Sequence, residues 1–363
     1  MIYLDHGATS FPKPRQVTAA MVRAMERCGN PGRGGHKPAM EAARTVFACR
    51  EQAAKLFDCR EEQIVFTSSC THGLNMAIRT LVQPGDPVVI SGFEHNAVTR
   101  QLYALGAKVT VAGRRLFSPE DTLWCFEQAL KKGQKAAVVT HVSNVFGYIL
   151  PIEEISVLCK RYRTPLVVDA AQSAGILPVS LKKLEADFIA MPGHKGLLGP
   201  QGTGILLCQS QPQPLLYGGT GTMSRQQEMP AELPEGAEAG TLNVPGIAGL
   251  AAGIGTVRRL GIENILAREQ REAQRCARRL EQRGYRVFCG ASQSGTVSFL
   301  PPEDCEVFAE ELGRRGVAVR AGLHCAPLAH ESAGTLETGT VRISFGHNAS
   351  PEQTEALCRA IGI

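Results

Sequence analysis

The sequence predicts an α/β protein in which a mostly parallel sheet, covered by helices on both faces, is followed by a smaller α/β domain. Three observations predict it. Between Gln63 and Met191 short apolar runs alternate with amphipathic stretches of helical length, the pattern of a parallel sheet with helical crossovers. Thr67, His95, Asn144, Asp169 and Lys195 fall at or just past the ends of those runs, where open sheets bind ligands. From Gln209 to Glu238 the composition turns to Pro, Gly, Gln and Glu without periodicity, a long excursion of the kind that carries function. The expected division is a large domain over residues 15–245 and a small C-terminal one over residues 246–363, joined by the N-terminal segment 1–14.

In chain order, Met1–Ser10 holds one short strand, and Val17, Met21 and Met25 then share one face of a helix over Arg15–Cys28. The Gly and Pro of Asn30–His36 make a loop, after which a helix over Pro38–Phe57 leads into strand Gln63–Thr67. Helices over Leu74–Leu81, Arg100–Leu105 and Thr122–Lys132 alternate with strands Pro87–Ser91 and Lys108–Ala112. Strand Ala136–His141, helix Ile152–Tyr162 and strands Pro165–Asp169 and Ala186–Met191 complete the first sheet. Beyond the excursion a long helix runs from Gly246 towards Gly284, bent near Gly261. Strands Tyr285–Phe288, Gly295–Leu300, Val317–Ala321 and Thr340–Gly346, with a helix over Val307–Arg315, build the second domain. The last helix starts at Ser350 as N-cap, with Pro351 in the first turn and Gln353 completing a capping box.

With 363 residues, 44% of them hydrophobic, the chain can bury a sizeable core. Its net charge of +5 comes from 39 basic and 34 acidic side chains without a long block of either sign, and Arg258–Arg286 reads as a solvated helix face. No nucleic-acid partner is expected. None of the twelve cysteines forms a CxxC pair, so neither a metal site nor a disulfide framework is expected, and they read as thiols of a reducing compartment. MIYLDHGATS lacks the basic start and apolar core of a signal peptide. The expectation is a cytoplasmic protein without a membrane partner.

Lys195 stands between His194 and a glycine-rich run in MPGHKGLLGPQGTG, directly after the apolar DFIA. A solvated loop lysine needs no such neighbours, whereas one held on a Gly-flanked turn beside a core strand is positioned for Schiff-base chemistry. Upstream, VVDAAQSAG ends an apolar strand in Asp169, a carboxylate suited to keeping a pyridine nitrogen protonated. Together they point to pyridoxal 5'-phosphate (PLP). Ser69, Cys70 and Thr71 lie at a strand-to-helix turn, where N–H groups and hydroxyls make an anion site, although Ser and Thr are also the ordinary N-caps. His95, taken singly, reads as a hydrogen-bonded loop residue. Cys325, in RAGLHCAPLAH, is set apart from the other eleven cysteines, which fall mainly in helical or strand patterns as small core residues. A mobile, polar, His-flanked loop favours thiolate there. Arg342 in TVRISFG is a bidentate partner for a carboxylate, or else part of a surface ion pair.

The motifs YLDHGATSFPKP, NPGRGGH, IVFTSSCTHGLN, EHNAV, HVSNVFG, VDAAQSAG, GHKGLLGPQGTG, EAGTLNVPGIAGL, RAGLHCAPLAH and VRISFG run in order from end to end. In them the chain resembles the cysteine desulfurase-like branch of the class V aminotransferase family. The resemblance implies the PLP-dependent transferase fold of type I, a homodimer, and conversion of L-cysteine to L-alanine with a persulfide left on Cys325 for an acceptor protein. By residue it implies that Lys195 carries the PLP, Asp169 pairs with the ring nitrogen, and Gln172 and Asn144 hydrogen-bond the phenolic oxygen. Ala171 packs beneath the ring, and His95 stacks above it and does acid–base work. Ser69, Cys70, Thr71, His194 and, from a partner subunit, Thr241 match the phosphate grip. Arg342, with Asn144, matches the substrate site, with Arg320 as a second candidate for the same role, and Asn243 and His36 stand as rim contacts. L-Selenocysteine lysis with a selenium acceptor, another class V C–S lysis or transamination, and a PLP-free scaffold are the alternatives, the scaffold disfavoured by the joint presence of Lys195, Asp169 and Cys325. His6, Cys70, His72, Pro192 and Leu323 depart from the family's common residues.

Overall fold

The alternating segments fold into a seven-stranded sheet with helices on both faces. The computed structural model describes residues 1–32 and 34–362. Arg33, within the predicted loop Asn30–His36, and Ile363, the end of the second predicted domain, lie outside the described residues. The first part comprises β1 (Ile2–Tyr3), α1 (Arg15–Arg27), α2 (Lys37–Phe57), β2 (Ile64–Thr67), α3 (Cys70–Leu81), β3 (Pro87–Ser91), α4 (Asn96–Ala104) and β4 (Lys108–Ala112). It continues through α5 (Pro119–Leu130), β5 (Ala136–Thr140), α6 (Ile152–Arg161), β6 (Leu166–Asp169), α7 (Leu181–Leu184), β7 (Phe188–Pro192) and β8 (Gly204–Cys208). The strand order is β2-β8-β7-β6-β5-β3-β4, and only β8 runs against its neighbours. Strands such as β5 and β6 are buried along their whole length, because helices cover both faces, and their sequences AAVVT and LVVD are accordingly apolar without alternation.

The C-terminal part holds α8 (Val244–Leu260), α9 (Ile262–Gln282), β9 (Arg286–Phe288), β10 (Thr296–Leu300), α10 (Cys305–Arg314), β11 (Val317–Ala318), β12 (Arg320–Gly322), α11 (Pro327–Ala333), β13 (Thr340–Ser344) and α12 (Pro351–Ile361). Strands β12-β13-β10-β9 form an antiparallel sheet. β1 pairs in parallel with β11, and Leu4, fully buried, enters the same hydrophobic cluster as Val297, Val341 and Leu357.

Several elements differ from the sequence-based expectation. Strand β8 and the short helices α7 and α11 are additional. Helix α3 begins at Cys70 rather than Leu74, and α4 at Asn96 rather than Arg100, because Ser69 and His95 cap them with their own side chains. The expected long helix is two, α8 and α9. They meet at Gly261, whose φ of 81° closes α8 through its N–H to Val257 O and starts a new axis. Predicted strand Val317–Ala321 is also two, its first half pairing with β1 and its second with β13. Among the described residues no helix is long and apolar enough to cross a membrane.

Candidate active site

A cleft of about 300 Å³ opens beyond the carboxyl ends of β3, β5, β6 and β7, as the sheet topology requires. Asp169 ends β6 at its floor, 2% exposed, with Oδ1 accepting from the N–H of Ala171 at 2.8 Å and the thiol of Cys70 at 3.5 Å. Lys195 follows β7. Its loop is pressed against the turn after β6: a Cβ on Gly196 would stand 2.4 Å from Ala174 O, so only glycine allows the approach that brings Lys195 beside Asp169. Nζ of Lys195 makes no hydrogen bond among the described residues, and burial lowers its pKa from the ordinary lysine value, with Asp169 opposing. An amine with no committed partner and a depressed pKa is the state a nucleophilic lysine requires.

At one end of the cleft lies the first turn of α3. Ser69 caps it, its Oγ accepting from His72 N at 3.1 Å, and the N–H groups of Cys70 and Thr71 have no partner among the described residues. Thr67, also predicted at this rim, is not a cleft residue: its hydroxyl braces the turn from behind through Ser69 O. His194 lines the cleft, and burial pushes its imidazole down to about 4, so it is neutral. Its carbonyl is held by the N–H and hydroxyl of Ser10, the hydroxyl of Thr9 and the ammonium of Lys13. His95, Ala171, Gln172, Asn144 and Pro192 line the walls. His95 Nδ1 accepts from Ala97 N, and burial lowers its pKa. The amides of Gln172 and Asn144 donate to Gly7 O and His324 O.

Arg342, 2% exposed, projects from β13 into the cleft. It is a buried ion pair rather than a surface one: Nη2 reaches Asp5 Oδ1 at 2.7 Å and Nη1 reaches Asn144 O at 2.9 Å, while Nε has no partner among the described residues. Asp5 also takes a two-pronged contact from Arg320. The sequence reading missed Asp5, which follows the short strand β1 by two residues and bridges to Ser344 of β13. Asn243 and His36, expected at the rim, instead cap α8 and α2.

Cys325 is exposed at the cleft mouth. The loop carrying it is tied to its neighbours by hydrogen bonds: Asn96 N donates to Cys325 O at 2.7 Å and Asn144 Nδ2 to His324 O at 2.8 Å. Both His324 and Cys325 have positive φ, 50° and 56°, a strained pair for residues that are not glycine. His324 turns inward to Thr340 and does not flank the thiol as expected. The guanidinium of Arg320 lies within electrostatic reach of Cys325, and Lys195 and Arg342 line the same cleft. Of the other eleven cysteines seven are buried, as core residues should be, but Cys289 is exposed, and Cys28, Cys59 and Cys125 are half-buried. Thr241 lies elsewhere, on a separate cavity of about 900 Å³ with Thr220, Thr222 and Phe47.

A family model described as aminotransferase class-V matches residues 2–357. The chain belongs to that family. Among relatives of this class V aminotransferase family member, a probable cysteine desulfurase of Methanothermobacter thermautotrophicus is 31% identical, covering 98% of this chain and 92% of the relative. One of Pyrococcus abyssi is 32% identical over the same shares. The apo structure of a cysteine desulfurase from Thermococcus onnurineus NA1 superposes with a TM-score of 0.92 at 32% identity, covering 99% of this chain and 93% of that one. The family's cofactor chemistry fits the residues present: an uncommitted amine, a buried carboxylate opposite it, and a helix start with free N–H groups all open into one cleft.

Proposed function

We propose that this protein is a PLP-dependent cysteine desulfurase that moves the sulfur of L-cysteine onto Cys325 and releases L-alanine. The observation that carries the reading is the convergence of Lys195, Asp169, the start of α3, Arg342 and the exposed Cys325 on one cleft. In this reading Lys195 and Asp169 would hold PLP, the lysine by its aldehyde carbon and the aspartate by its ring nitrogen. Ser69, Cys70, Thr71 and His194 would hold its phosphate, Ala171 and His95 would pack against its ring, and Gln172 and Asn144 would serve its ring hydroxyl. When bound, PLP supplies an electron sink for the substrate's α-carbon.

The protein's own residues then do the following. Arg342 takes the substrate carboxylate in charge-assisted hydrogen bonds, sharing it with Asp5. Lys195 removes the proton from Cα and returns one to the carbon skeleton, with His95 as a further acid–base group. The Cys325 thiolate attacks the substrate sulfur. An S–S bond forms, the C–S bond breaks with its electron pair left on carbon, and a proton completes alanine. Substrate and thiol together supply every atom of alanine and the persulfide. The persulfide's exposure suits delivery to an acceptor protein. The homodimer reading is supported by Thr241, which lies outside this cleft and would complete a partner's site. Cytoplasmic location is supported by twelve unpaired cysteines.

The test is alanine release and persulfide formation by PLP-loaded protein given L-cysteine or L-selenocysteine, with Cys325→Ala alongside. The reading expects alanine from L-cysteine, lost in Cys325→Ala while the PLP absorbance remains. Activity on selenocysteine alone, or activity that survives without Cys325, replaces desulfuration with direct lysis.

A further inference from the structure

Behind the cleft lies a second, smaller cavity of about 30 Å³, and Gly7, Gln172 and Lys195 form the wall common to both. Its far side is Glu269 of α9, 3% exposed, with no hydrogen-bond or ion-pair partner among the described residues. Gly295 makes room for that carboxyl: a Cβ there would stand 2.5 Å from Glu269 Cβ and 2.9 Å from Oε2. His6 and His347 also line it, beside apolar Ile176, Leu198, Ile265 and Phe345, and Ser294 and Thr296 add hydroxyls. His6 is 7% exposed, and neither of its ring nitrogens has a partner, nor has Nδ1 of His347. An unpaired buried carboxyl and three orphaned imidazole nitrogens around a void of this size describe a hydration site, since one or two waters fit and each finds several partners.

We propose that this chamber is a proton annex of the active site, in which Glu269 exchanges a proton with the Lys195 amine through ordered water. The proposal deepens the reading given above and rests on Lys195 being the reacting amine. The proton leaves the Glu269 carboxyl for water as water gives one to Nζ, and the reverse transfer restores both, so no co-reactant is consumed. Burial raises the Glu269 pKa to about 8, which leaves it protonated at neutral pH, and burial lowers the Lys195 pKa, so the two shifts bring the carboxyl and the amine towards one another. The titratable groups facing it are His6 from the N-terminal segment, Lys195 from the loop after β7 and His347 from the loop after β13, with Lys13 beyond the two histidines. His6 is itself pushed down to about 4 and stays neutral, able to relay without holding charge. Glu269 is thus a positioning residue for a proton and does not touch the substrate.

The test uses PLP-loaded wild type, Glu269→Gln and Glu269→Asp. First, infrared spectra across pH 6 to 10 are expected to show protonated-carboxyl bands in the wild type, one of which titrates near pH 8 and is missing from Glu269→Gln. Second, exchange of the Cα proton of L-alanine with deuterated water is followed by NMR. Glu269→Gln is expected to slow it by about tenfold and flatten its pH profile without changing KM, and Glu269→Asp to restore part of the rate. Exchange and pH profile unchanged in a folded Glu269→Gln protein overturn this proposal alone. A wild type that exchanges no α-proton overturns the reading of Lys195, and this proposal with it.

Discussion

Asp169 closes the apolar strand β6 and Asp5 follows β1 by two residues, and the partners they meet separate their uses. Asp169 accepts from one N–H and one thiol, so it retains capacity for a charged ring nitrogen. Asp169→Asn keeps Lys195 and therefore the PLP absorbance, but is expected to lower turnover by about tenfold or more, the value of one charge-assisted hydrogen bond. Steady-state kinetics beside an absorbance spectrum checks both halves. Asp5, by contrast, is shared by two arginines, which leaves Arg342 preorganised but not saturated. Arg342→Lys keeps a charge for Asp5 but loses the planar fork, so KM for cysteine is expected to rise about tenfold with a smaller change in kcat.

Helix starts and strand ends carry most of the cleft, and there the match between sequence and structure is uneven. The apolar runs ending in Asp169 and before Lys195 were legible because parallel strands buried on both faces leave an unmistakable pattern. The starts of α3 and α4 were not, since Cys70, Thr71, Asn96 and Ala97 carry no apolar periodicity and only the caps reveal them. Strand β8 hid behind the glycine-rich turn that was read for its lysine. The division of Val317–Ala321 depends on partners far away in sequence, which local pattern cannot show. Ser69→Ala removes the cap of α3 and is expected to cost about 1 kcal/mol, read as a lower Tm, and to weaken PLP retention. Gly196→Ala forces backbone apart where nothing flexible can give way, so a loss of about 1 to 3 kcal/mol is expected, with slower capture of PLP.

Across the molecule, buried ionisable groups set how stability follows pH. Burial pushes His6, His141, His194 and His330 down to about 4, so between pH 4 and 6.5 the unfolded chain binds more protons and stability rises with pH. Glu94 and Glu269 are raised to about 8, so between pH 4.5 and 8 the folded chain binds more protons and these two groups make stability fall as pH rises. Four imidazoles outweigh two carboxyls below pH 6.5, and from there to about pH 8, where Lys13 begins to oppose them, the carboxyls dominate at up to about 2 to 3 kcal/mol per pH unit. Tm of the protein without PLP is therefore expected to peak near pH 6.5, and Glu94→Gln or Glu269→Gln to flatten the alkaline side. The N-terminal segment has another consequence, one of timing. β1, Asp5 and Ser10 to Lys13 find their partners in His194, β11, Arg320 and Arg342, all of them far downstream in the sequence. Such long-range closure comes late in folding. On the ribosome, the sheet of β2 to β8 can form while β1 still waits, so the cleft closes only once β13 has emerged, and a chain cut short before β13 lacks Arg342, the proposed partner of the substrate carboxylate.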